Sequence, residues 1–194
     1  LTSPDMMQAL AYQRRIAGST SLVEIHADHQ RMATMKEALR LQPGVIIQEF
    51  FGANDQPRLN IRGSGIQSNP QRRGVYLLQD GIPVNFSDGS YVIGIMDAMT
   101  ARYIEVFKGA NALRFGAGTL GGALNFVSRT ALTDSTASVK LEGGSYGTFG
   151  LTFSMGKRLG AWDMFAASTY NRQEGYRIYN KNQRLTASVN IGWR

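Results

Sequence analysis

From Leu185 to Arg194 every second residue is apolar. Leu185, Ala187, Val189, Ile191 and Trp193 alternate with Thr186, Ser188, Asn190, Gly192 and Arg194. A period of two belongs to an extended strand with two unlike faces, since a helix would scatter these side chains around its axis. The same beat runs earlier, with Phe149, Leu151, Phe153 and Met155 set against Gly150, Thr152, Ser154 and Gly156. Residues 162–171 keep it less cleanly: Trp162, Met164, Ala166 and Tyr170 oppose Asp163, Ala167, Thr169 and Asn171, and Phe165 falls on the polar side. Ala137, Val139 and Leu141 oppose Ser138, Lys140 and Glu142. Residues 135–194 are therefore expected to form four antiparallel strands.

Alternation by itself fits a half-buried soluble sheet as well as a membrane wall. Two features favour the wall. The strands are near the roughly ten residues that cross a bilayer at a tilt. Trp162, after the short turn at 157–160, and Trp193, at the end of the fourth strand, would share one rim, with Tyr146 and Tyr170 near the other. That is the aromatic girdle of an outer-membrane barrel. Four strands cannot close, and an open edge does not survive in lipid. The chain is expected to be the N-terminal part of something larger.

Residues 1–134 have a different texture. The TMKE segment at 34–37 is a capping box that starts a short helix with Met35, Ala38 and Leu39 on one face, stopped by Pro43-Gly44. Strands are expected at 21–25, 58–62, 75–79, 82–84, 103–108 and 124–128. Asp80-Gly81 is a two-residue hairpin turn. Asp97 caps a short helix through Ala101, and 111–115 is a helical turn. Gly116, Gly118 and Gly121 have G-x-G-x-x-G spacing. A nucleotide-binding enzyme would need a long helix after them. The segment after Gly122 reads as a strand, so the glycines are expected to serve a turn and a close approach of backbones.

There is no cysteine, hence no disulfide and no thiolate metal site. Lys+Arg exceed Asp+Glu by 21 − 14 = 7, but the cations are scattered; Arg14-Arg15 and Arg72-Arg73 are the only adjacent arginines. A soluble nucleic-acid-binding β protein, the rival that a basic chain suggests, would cluster them with aromatics. No nucleic-acid partner is expected. No apolar run spans a membrane as a helix, and no signal peptide is visible, which fits a mature exported form. His26, Asp28 and His29 read as a polar turn. Met32/Met35 and Met96/Met99 read as core filler rather than copper ligands. Neither a metal site, nor a cofactor, nor a catalytic set is expected.

Four segments, ALRLQPGV (38–45), LNIRGSG (59–65), LLQDGIPV (77–84) and YIEVFKGANALRFGAGTLGGALNFVSR (103–129), together resemble, in order and spacing, the plug domain of TonB-dependent outer-membrane receptors. KLEGGSYGTFGLTFS (140–154) resembles the first barrel strands of the same family. The resemblance implies an α+β plug with a short mixed sheet at 21–130, after an N-terminal extension at 1–20. The strands of 135–194 would then be the first four transmembrane strands of an incomplete barrel of about 22 strands, the remaining C-terminal strands being absent. It also implies a bacterial outer-membrane location, TonB as the energy-coupling partner, and a scarce solute as ligand. That solute is a ferric siderophore or other iron complex, with cobalamin, haem or copper as alternatives. Gln67, Asn69, Arg72, Arg73, Phe86 and Tyr91 would lie at the plug apices and bind ligand. Arg62 and Lys108 match plug cations that face glutamates of the barrel wall and lock the plug. Lys108-Gly109-Ala110 stands where the family usually has Arg-Gly-Pro, and no TonB box is evident near residues 1–10.

Overall fold

The computed structural model describes residues 5–25, 34–49, 57–64, 73–134, 136–175 and 180–193. Its N-terminal half is built on a mixed five-stranded sheet. The strands are β1 (Thr20–Glu24), β4 (Val75–Gln79), β5 (Ile82–Pro83), β6 (Ala101–Lys108) and β7 (Gly122–Ser128), in the order β1-β6-β7-β4-β5. β6 runs antiparallel to β1 and β7, while β4 and β7 are parallel. A second ribbon pairs β2 (Val45–Gln48) with β3 (Arg58–Ile61).

The central strands are apolar on both faces because both are covered. One face packs into the main core with Leu59, Ile61, Ile93, Met96 and Met99. The other is covered in two places. Helix α1 (Met6–Gln13) sets Ala9 against Tyr103 and Val127. A 3₁₀ turn, Gly109–Phe115, sets Ala112 and Phe115 against Leu78, Phe107 and Ala123. The sequence suggests a mere extension at residues 1–20, yet α1 belongs to the folded unit, tied by an Asp5–Arg102 ion pair at 3.6 Å. Only Ala9 and Gln13 are buried on this helix, so the sequence carries no apolar stripe to announce it, and its N-cap residue Asp5 makes no side-chain capping bond. β2 is likewise absent from the expected strands; Val45, Ile46 and Ile47 are apolar in succession, so no alternation marks it.

The local signals are otherwise realised. Thr34 accepts from the Glu37 amide at 3.3 Å, and the Glu37 carboxylate accepts from the Thr34 amide at 3.2 Å, at the start of α2 (Met35–Leu39). Asp80 (φ 52°) and Gly81 (φ 82°) both turn left-handed in the β4–β5 hairpin, and the Ser128 amide donates to the Asp80 carboxylate at 2.7 Å. Asp97 accepts from the Met99 amide at 2.9 Å over a 3₁₀ turn, Ala98–Thr100. After Gly121 comes strand β7 and not a helix, which removes the dinucleotide-binding reading.

The C-terminal half is a four-stranded antiparallel meander: β8 (Ser138–Gly144), β9 (Thr148–Leu159), β10 (Trp162–Gln173) and β11 (Asn182–Trp193). Its polarity is the reverse of a soluble sheet. Val139, Leu141, Phe153, Met155, Met164, Leu185, Val189 and Ile191 face outward and are exposed, whereas Thr152, Ser154 and Thr169 are buried. The buried polar face lies against the first half of the chain. Phe165, the residue that broke the alternation, packs inward on Ala131. Trp162 and Trp193 are cross-strand partners with ring centroids 6.4 Å apart at one rim. Tyr146 lies in the β8–β9 turn at the other end; the Tyr170 and Phe149 rings are tilted against each other, also at 6.4 Å.

Candidate functional site

The chain leaves β7 after Ser128 and enters the four-stranded meander near its Trp162/Trp193 end. Arg129 reaches Ser154 at 3.1 Å and Asp134 at 3.2 Å and lies 5.0 Å from the Phe165 ring centroid. Arg158 donates to the carbonyls of Ala131 and Leu132. Further along the meander, Arg184 donates to the carbonyls of Gly94 at 2.7 Å and Met96 at 3.0 Å, and Thr186 donates to the Asp97 carboxylate. These residues, which join the two halves, do not stand out in the sequence. Arg184 does carry a signal: it continues the polar beat of β11, on the face that meets the N-terminal half.

The Asp80-Gly81 turn is at the Ser128 end of the sheet. The chain then doubles back, so that residues 85–90 sit at the opposite end, beside the start of β4. Asn85 organises that return. Its side-chain oxygen accepts from the Leu77 amide at 2.8 Å, and its amide nitrogen donates to the carbonyls of Val75 at 3.0 Å and Gly89 at 3.3 Å. The loop closes on itself through Phe86 and Ser90, whose amide and carbonyl meet at 2.9 Å. Asp88 accepts from the Ser90 amide at 3.0 Å and the Ser90 hydroxyl at 2.6 Å. Its other oxygen pairs with Arg73 at 3.3 Å. The Ser90 hydrogen bonds, with a smaller contribution from Arg73, hold the Asp88 carboxyl below the usual aspartate value.

Arg73 and Phe86, two of the expected apex residues, are thus in neighbouring loops at one end of the sheet, and Phe86 is 58% exposed. Tyr91 is not presented there. It is 3% exposed, and its hydroxyl donates to the Leu59 carbonyl at 2.9 Å, which makes it a core anchor under the loop. Polarity and position suggest an apical role, but a phenol with one buried acceptor is satisfied inside. Gln67, Asn69 and Arg72 lie outside the described residues, as do His26, Asp28, His29 and Met32. Met35, Met96 and Met99 belong to the main core.

The glycine-rich turn supports the same end of the sheet. The Gly121 amide donates to the Gly74 carbonyl at 2.9 Å. A Cβ on Gly118 would stand 2.8 Å from the Tyr76 ring, and one on Gly121 would overlap Ser64. The glycines therefore let the strand entry, the β3 turn and the β4 strand approach one another.

Arg62 and Lys108 are brought together by two separate turns. Asn60 and Ser64 hold the turn after β3, accepting from the Gly63 amide at 2.8 Å and donating to the Ile61 carbonyl at 2.7 Å. Within it Arg62 adopts φ 51° and projects outward. Its guanidinium lies over Gly109, where a Cβ would come within 2.8 Å. Lys108, the preceding residue, is 5% exposed, and burial and the Arg62 charge push its pKa below the ordinary 10.5. Among the described residues no carboxylate is within ion-pair distance of either cation. Two like charges side by side, one of them buried, form a surface that calls for an anion.

The TonB-dependent Receptor Plug Domain family matches residues 13–123, more than half of the chain. The ferrichrome receptor FcuA of Yersinia enterocolitica is 30% identical over 149 residues, which cover 73% of this chain and 20% of that protein. The ferrioxamine receptor of the same organism is 29% identical over 123 residues, covering 62% of this chain and 16% of that receptor. The chain thus spans a fifth or less of these curated relatives. Among solved structures, the ferric-catecholate import receptor Fiu of E. coli K12 shares the fold with a TM-score of 0.67 at 19% identity, covering 89% of this chain and 24% of that one. These relatives are receptors and not enzymes. The sheet order, the glycine turn and the family match over 13–123 lead to one conclusion: this chain is a member of the TonB-dependent receptor plug domain family, similar to the ferric-siderophore receptors.

Proposed function

We propose that the chain forms the plug and first wall strands of a bacterial outer-membrane receptor that imports a ferric siderophore, with TonB supplying the energy. The inverted wall carries this reading: its apolar face is exposed and its polar face is wedged against the plug. In water such a sheet would expose a broad apolar band, whereas in a bilayer that band meets lipid tails of its own polarity. The rim tryptophans then anchor at the membrane interface. β8 and β11 pair with further strands of a barrel of about 22 strands. The loops carrying Arg73 and Phe86 face the incoming iron complex, and Gln67, Asn69 and Arg72 join them as ligand-binding residues in this reading. A copper cargo is less favoured, because Met35, Met96 and Met99 fill the core rather than line these loops.

In this reading Arg62 and Lys108 are the lock. Each faces a wall carboxylate contributed by strands beyond this chain, in a confined space where an ion pair is stronger than at an open surface but desolvation offsets much of the gain. Such a contact holds the plug shut and yields to a pull from the N-terminal side.

Uptake of radioactive iron by cells with and without the full-length gene, in TonB-containing and TonB-deficient backgrounds, tests the transport reading. Loss of uptake in either deletion is expected, and uptake independent of both overturns it. The lock is tested by planar-bilayer conductance of the full-length receptor carrying Arg62→Ala with Lys108→Ala. Channel openings absent from the parent are expected. Membranes as silent as the parent's show that these cations are not the lock.

A further inference from the structure

The apex cation Arg73 already has an anion of its own. Arg73 and Asp88 come from different loops, 15 residues apart, and their side chains meet at 3.3 Å with both about half exposed. Asp88 is not free to swing away, because the Ser90 amide and hydroxyl hold its other oxygen. Ser90 in turn is fixed by the Asn85-centred loop. The carboxylate is therefore fixed in place, while the arginine is a long side chain that reaches it from across the gap.

We infer that Asp88 is a specificity-determining residue: it neutralises Arg73 at the apex, so that uncharged ferric chelates are accepted as they come and an anionic chelate must compete with Asp88 for the arginine. This inference rests on the transport reading proposed above. The physics is that of an exposed pair. A surface ion pair is worth little and exchanges readily, so it is no structural lock. Its fixed negative charge nevertheless repels every further anion brought within a Debye length. A trihydroxamate cancels the three charges of ferric iron and meets no such repulsion. A tris-catecholate leaves three negative charges and is repelled by Asp88 while attracted by Arg73, so its net gain from the apex is small. Phe86, exposed in the same loop as Asp88, offers apolar surface to either ligand without regard to charge.

The test uses the full-length receptor and two probes, ferrichrome as the neutral trihydroxamate and ferric enterobactin as the trianion. Asp88→Asn removes the charge and keeps an acceptor for Ser90, so the loop stays closed. We expect it to shift affinity toward ferric enterobactin relative to ferrichrome on the order of tenfold at low salt, less at high salt. Arg73→Gln, which leaves Asp88 uncompensated, should shift the ratio a comparable amount the other way. The double variant should return close to the parent. A ratio moved less than about twofold by Asp88→Asn, or moved equally in low and high salt, overturns the inference while leaving transport intact. Failure of the unaltered receptor to bind either probe overturns the siderophore reading and this inference with it.

Discussion

Lys108 shows how much a single residue depends on its surroundings. On a bare strand it would be a solvated cation; here it is buried next to Arg62, and both burial and that neighbour act against its charge. Between its lowered folded pKa and the ordinary 10.5, the unfolded chain binds more protons than the folded one. The stability tied to this group therefore rises with pH across that window, and below it the fold carries the penalty in full. Tyr103 acts with the opposite sign: burial raises its pKa above the ordinary 10.0, so the unfolded chain loses its proton first and stability falls as pH rises past that value. Lys108→Met separates the two. In urea titrations of the chain in detergent, the variant should be more stable than the parent at low and neutral pH, with the difference shrinking as pH rises toward the ordinary lysine value of 10.5. A constant difference across pH would show that the gain comes from packing alone.

At the scale of elements, the glycine-rich turn before β7 is where sequence and packing meet. The Gly121 position lies against Ser64 and the Ile61 carbonyl, and Gly122 against the Phe107 carbonyl and Ile61. Three backbones converge there, and backbone does not give way as a flexible side chain does. Gly121→Ala should destabilise the plug by about 1–3 kcal/mol or more, the range for overpacking a well-filled interior. Gly143→Ala, in open space at the end of β8, should stay within about 0.5 kcal/mol of the parent. Thermal or denaturant melting of both variants measures the contrast; equal effects would mean that the turn tolerates a side chain. The spacing of these glycines is plain in the sequence. Which neighbours they admit is not, because Ser64 and Ile61 are far from them along the chain.

For the whole molecule, the question is which face of the meander meets which medium. Val189 points outward and Asn190, next to it, points to the plug side. In a bilayer, Val189→Arg should cost the full-length receptor about 2–4 kcal/mol if its position is near the midplane. Asn190→Arg should cost less, since that face is already polar. Folding titrations into lipid vesicles would report both. Equal costs would remove the lipid-facing assignment and with it the main support for the membrane reading.

The short-range signals settled much of this protein in advance. The capping box, the Asp80-Gly81 hairpin, the Asp97 cap and the period-two strands are local, and each is decided by a few adjacent residues whose backbone preferences or hydrogen-bond reach suffice. Order and spacing of four such segments also sufficed to identify the family. Tertiary structure decided what no neighbour along the chain could supply. It docked α1 with almost no apolar stripe, and it turned Tyr91 inward onto the Leu59 carbonyl. It joined the halves through Arg129 and Arg184, and paired Arg73 with Asp88. It also chose the direction of the alternating face. A period of two fixes that a strand has two sides. Which side faces the core is set by what fills the space beside it, and here that is a plug whose carbonyls and carboxylate accept hydrogen bonds from the wall.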